Sequence, residues 1–115
     1  MFGPGGVVGY ESVRRTPRYS LMFDIEITDV QSETQIMAHT KMLGLYGCGV
    51  ESSMLFPQGA SLRVKLSHQG VDVRSLARVV YSTVALGMGV VFTSMEREDE
   101  RILESWIAEY LSTPY

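Results

Sequence analysis

Leu21, Phe23, Ile25 and Ile27 alternate with Met22, Asp24, Glu26 and Thr28. This two-residue period commits the segment to a strand with one buried face, because successive side chains of an extended chain point to opposite sides. The same period returns downstream, where Ser61 to Ser67 sets Leu62, Val64 and Leu66 inward against Arg63 and Lys65. Gln35 to Leu43 reads as a less regular strand with Ile36, Ala38, Thr40 and Met42 on one side, and Val50 to Met54 as a short one. Val71 to Ser82 is a strand whose alternation slips near Ser75, where a bulge accounts for the change of face, and Met88 to Thr93 is the last. Polar and glycine-bearing turns separate these runs, at 29–34, at Phe56-Pro57-Gln58-Gly59 and at His68-Gln69-Gly70. Six short strands with no helix between them predict a mainly β fold, one six-stranded antiparallel β-barrel or a curled sheet, because closure removes exposed strand edges.

The tail changes period. Thr93 and Glu96 are spaced as a capping box, and Ile102, Leu103, Trp106, Ile107, Tyr110 and Leu111 fall on one helical face. Glu98, Arg101, Glu104 and Glu109 lie towards water, and Pro114 follows the stop. A C-terminal helix packing on the barrel is expected. Between the second and third strands, Gly44-Leu45-Tyr46-Gly47-Cys48-Gly49 predicts a bend whose backbone is open to a ligand or a neighbour.

At 115 residues the chain reads as one domain, with a flexible arm over 1–13 and the barrel domain over 14–115. Cys48 is the single cysteine, so no internal disulfide forms, which suits a reducing compartment. No apolar run reaches the length of a membrane span, and residues 1–13 lack a basic stretch followed by an apolar core. The expectation is a cytoplasmic protein with no membrane insertion. A net charge of −3 argues against binding nucleic acid along its backbone. The charge is uneven, however: Arg14, Arg15 and Arg18 stand in the first 20 residues against Glu11, while acidic residues dominate 96–109. Pro17 keeps Arg14-Arg15-Thr16-Pro17-Arg18-Tyr19 out of a regular helix, and in extended geometry Arg14 and Arg18 can face the same side. Guanidinium forks grip phosphate oxygens bidentately and stack on flat rings, which points to a small nucleotide-like anion.

Other constellations carry less. Cys48 and His39 have no third residue to orient them, so a thiol nucleophile is not expected. His39, His68 and Cys48 lack metal-ligand spacing, and no metal or cofactor is expected. The glycine run is followed by strand instead of helix, unlike a dinucleotide fingerprint. Asp24 and Glu26 read as the wet face of a strand. Catalysis is not expected.

The opening Arg14-Arg15-Thr16-Pro17-Arg18-Tyr19, the glycine-marked turn and the runs Ala77-Arg78-Val79-Val80-Tyr81 and Gly87-Met88-Gly89-Val90-Val91-Phe92 resemble the PilZ domain family across residues 14–111. The resemblance implies a split six-stranded antiparallel β-barrel with a C-terminal helix, and a receptor or adaptor that binds the bacterial second messenger cyclic di-GMP and signals to an unidentified protein partner; the expectation is that the nucleotide changes the conformation of the arm and surface. It assigns ligand contacts to Arg14 and Arg18 of an RxxxR opening, with Arg15 assisting, and to Gly47, with Tyr46 as a possible stacking partner. In the family's second motif, an Asp or Asn and a Ser precede the glycine by five and three residues. Met42 and Gly44 occupy those places here, and a thioether is a weak acceptor while glycine offers no side chain. The alternative is therefore a degenerate adaptor that works without the nucleotide.

Overall fold

The computed structural model describes residues 17–112; Arg14, Arg15, the arm over 1–13 and Pro114 lie outside them. Six strands, β1 (Asp24–Asp29), β2 (Gln35–Leu43), β3 (Gly47–Glu51), β4 (Ser61–His68), β5 (Val71–Thr83) and β6 (Gly87–Met95), are followed by a helix, α1 (Arg97–Ser112). They form a closed barrel in the order β1-β2-β3-β6-β5-β4, antiparallel at every seam. Two three-stranded meanders are joined by the β3–β6 and β1–β4 ladders. The expected barrel and terminal helix are both present.

The period-two pattern explains the interior. Ile25, Ile27, Leu66, Val73 and Val90 are wholly buried, with Leu62, Val64 and Val79 nearly so, while Arg63, Arg74 and Arg78 face outward. Gln69 and Gly70, with φ of 54° and 79°, make the two-residue β4–β5 turn, whose positive dihedrals match the twist of the strands they join. The helix covers part of the core with Leu103, Trp106 and Ile107. The Trp106 ring meets Phe23 edge-on at 5.2 Å and His68 at 5.5 Å, and Phe23 and His68 stack at 4.2 Å. Tyr110 and Leu111, expected on the packed face, are exposed.

Several elements differ from the sequence reading. β1 begins at Asp24, so Leu21 and Phe23, though buried, precede the strand. The third strand begins at Gly47 and ends at Glu51, because Ser52 turns the chain by accepting a hydrogen bond from Met54 N–H at 3.1 Å. Met42 does not continue the inward row of β2: an irregularity between Thr40 and Met42 shifts the register, and Leu43 takes the buried place. Ser75 does not mark a change of face. It points inward with Val73, Ala77 and Val79, and its hydroxyl, 2.7 Å from Leu76 O and 3.0 Å from Ser94 O, is satisfied there. The nearby irregularity lies at Leu76/Ala77, where β6 carries the additional residue Thr93. Thr93 is accordingly strand and not a helix cap; β6 runs on to Met95, and the first helical bond goes from Glu100 N–H to Glu96 O.

A glycine opposite an aromatic stabilises the outer face. Tyr81 pairs with Gly89 across β5–β6, and its ring lies where a β-carbon on Gly89 would fall. Gly89→Ala therefore displaces the ring and is expected to destabilise the barrel by about 1–3 kcal/mol. In a Tyr81→Ala background the same change loses most of its cost, a coupling that urea unfolding of the double-mutant cycle measures.

Candidate ligand-binding site

Pro17 to Tyr19 runs along the barrel wall beside the end of β2. Tyr19 and Leu43 exchange both backbone hydrogen bonds at 2.9 Å, forming an isolated antiparallel bridge that holds this segment to the strand. The β2–β3 turn is closed by Gly44 N–H donating to Gly47 O at 2.9 Å, and it is tied to β6 by Phe92 N–H donating to Tyr46 O at 2.8 Å. Arginine segment and glycine turn are therefore fixed against each other by backbone bonds alone.

Glycine makes this closeness possible. A β-carbon on Gly44 would stand 2.5 Å from the Pro17 carbonyl oxygen and 3.4 Å from Arg18 Cγ. On Gly47 it would collide with Val90 O and stand 3.1 Å from Arg18 Nη2. The half-buried Arg18 side chain thus crosses from Gly44 to Gly47 and rests on bare backbone. Among the described residues its guanidinium makes no hydrogen bond and no ion pair. A guanidinium offers its N–H donors as a fork that matches carboxylate or phosphate oxygens.

The structure places Arg18 beside Gly47, whereas Arg14 and Arg15 lie outside the described residues. Tyr46 is exposed at the turn, beside Glu100, Leu103 and Glu104 of α1. Gly47 and Gly49 belong to β3 and not to a loose bend. Met42 Sδ is 3.7 Å from Ser20 Oγ, a long contact to a weak acceptor. Val91, opposite Gly47 on β6 and half-buried, extends the floor of the site. Sequence reasoning missed it because only strand register makes the two neighbours.

Two other places are less suited to an anion. A groove of about 540 Å³ across β1, β4 and β5 holds Arg63, Lys65 and Arg74, but each faces a carboxylate: Glu33 at 3.0 Å, Glu26 at 3.5 Å and Asp72 at 3.8 Å. His39 and Cys48 do not form a catalytic pair. His39 Nε2 is 3.2 Å from Asp24 Oδ1 on the surface, and Cys48 is completely buried. No cluster able to hold a metal occurs among the described residues.

Burial pushes the Cys48 thiol up from 9.0 to about 12, against a smaller lowering by the nearby Arg18 charge. The folded thiol keeps its proton where the unfolded one loses it, so folding is favoured less as pH rises from 9.0 towards about 12 and is unaffected below that window. Equilibrium unfolding should show a steeper alkaline decline in the native chain than in Cys48→Ala. At pH 8 the native thiol should react with a disulfide reagent far more slowly than in denaturant.

A family model described as the PilZ domain matches residues 12–109. Among solved structures, the Bacillus subtilis inhibitor of motility MotI/DgrA aligns with a TM-score of 0.69 and 18% sequence identity, over 89% of this chain and 53% of that one. The chain therefore spans about half the length of that protein. The PilZ domain of CeSA from a cellulose-synthesizing bacterium aligns with a TM-score of 0.65 and 13% identity, over 84% of this chain and 99% of that one. At such identities the likeness is one of fold. No curated protein matches the sequence. The matched span takes in the whole barrel, nearly all of the helix and the arginine laid over the glycine turn, and the chain belongs to the PilZ domain family.

Proposed function

We propose that this chain is a cyclic di-GMP receptor and adaptor domain, in which Arg18, with Arg14 and Arg15 from the residues before it, grips the nucleotide against Gly47. The observation that carries the reading is the Arg18 guanidinium, without a hydrogen bond or ion pair among the described residues, held over bare backbone at Gly47. It suits phosphate oxygens, a guanine edge or a stacked base equally well. Signalling follows from position. Tyr19, next to Arg18, meets Tyr110 of α1 at 5.8 Å, so a ligand that resets the arginine segment also resets the surface that α1 offers to a protein partner. The work is binding, in keeping with a family of receptor and adaptor domains, and no catalytic role is assigned. No helix among the described residues is long and apolar enough to cross a membrane.

A second reading, an adaptor that acts without nucleotide, is favoured by Met42 and Gly44. Two lost hydrogen bonds weaken binding by roughly 0.5–3 kcal/mol each, and Pro17 O stands in the space a serine at 44 would need.

Calorimetric titration with cyclic di-GMP decides between them. The receptor reading expects saturable binding that weakens at least about tenfold in the Arg14→Ala, Arg18→Ala double variant. A folded protein that gives no heat at high micromolar nucleotide overturns it in favour of the adaptor.

A further inference from the structure

The β3–β6 and β6–β5 ladders set Gly47 opposite Val91, and Val91 opposite Arg78. Their sequence neighbours Cys48, Val90 and Val79 are 0%, 0% and 1% exposed. By alternation, Gly47, Val91 and Arg78 stand in one row on the outside of the barrel. Two inter-strand steps place the Arg78 backbone roughly 10 Å from Gly47. Arg18 occupies the Gly47 end of this row and Arg78 stands at the other, with Val91 between them in the register.

Arg78 resembles Arg18 in what it lacks. It is exposed, and its guanidinium has one contact among the described residues, 3.5 Å to Gly59 O. That distance is beyond the ordinary range of an N–H donor. Arg63 and Arg74, the other outward arginines of β4 and β5, each have a carboxylate partner.

We propose that Arg78 is the second guanidinium of the ligand site, facing Arg18 across the Gly47–Val91 floor. The proposal rests on the nucleotide reading above. The apolar floor accepts the face of a flat heteroaromatic ring, and the forks at its two ends take an anionic oxygen, a base edge or a stacked base. A ligand carrying two phosphates and two purines in one compact ring can engage both ends at once, which a single phosphate cannot. Specificity for a cyclic dinucleotide over a mononucleotide then comes in part from the spacing of the two arginines.

The test is calorimetric titration of the 115-residue chain with cyclic di-GMP and, separately, with GMP, using the native sequence, Arg18→Ala, Arg78→Ala, Arg78→Lys and Arg74→Ala. Arg74→Ala removes the same charge from β5 outside the row. The proposal expects Arg78→Ala to weaken cyclic di-GMP binding about tenfold, Arg78→Lys to recover only part of it, Arg74→Ala to leave it within about twofold, and melting temperatures to hold. It also expects the preference over GMP to shrink in Arg78→Ala. If Arg18→Ala abolishes binding while Arg78→Ala matches Arg74→Ala, the proposal fails and the nucleotide reading stands. If the native chain binds no cyclic di-GMP, both fall.

Discussion

Closure of the β-barrel is the constraint from which the other features follow. Once the β3–β6 and β1–β4 ladders join the two meanders, the inward positions are filled by Ile25, Ile27, Leu62, Leu66, Val73 and Val90. That leaves little room inside for a polar ligand, so binding chemistry belongs to the outer wall. The wall is thinnest at its glycines. Gly47, Gly49 and Gly89 present no side chains; Arg18 and Tyr81 lie close on the backbone of Gly47 and Gly89, and Lys41 passes over Gly49 at ordinary contact distance. A glycine inside a strand weakens it, and here the cross-strand Tyr81 and the stem of Lys41, which also donates to Leu86 O at 2.6 Å, restore the missing packing.

The degenerate second motif has a physical reading in the same terms. Loss of a side chain at Gly44 and the close approach of Pro17 are one feature, since the carbonyl oxygen of Pro17 stands where that side chain would begin. The chain exchanges a hydroxyl on the turn for a tighter hold on the arginine segment, fixed by the reciprocal Tyr19–Leu43 bonds. Held this way, Arg18 would give up less conformational freedom in the proposed binding, offsetting part of what Met42 and Gly44 do not supply.

The sequence made the barrel legible wherever one face was apolar and the other charged, as in Leu62-Arg63-Val64-Lys65-Leu66. It misled where a residue's usual place differed from its actual one. Gly47 and Gly49, read as part of a bend, formed strand because β2 and β6 pair with them; Ser75 read as a slip is a buried hydroxyl with two carbonyl oxygens in reach. Thr93 resembled a helix cap by spacing alone, yet ladder pairing carried β6 through to Met95. For the site, Arg18 and Gly47 could be named from their pattern, but their contact and the Val91 floor depend on register, which no local motif encodes.

The bare wall at Gly47 has an effect on its inner side as well. Cys48 points into the core directly behind it, and the field of Arg18 reaches that thiol closely enough to oppose the effect of burial. An anion neutralising Arg18 from outside would remove that influence and let the thiol hold its proton more firmly. Inside and outside of the wall are thus one residue apart here, the buried Cys48 following the Gly47 on whose outer face Arg18 rests.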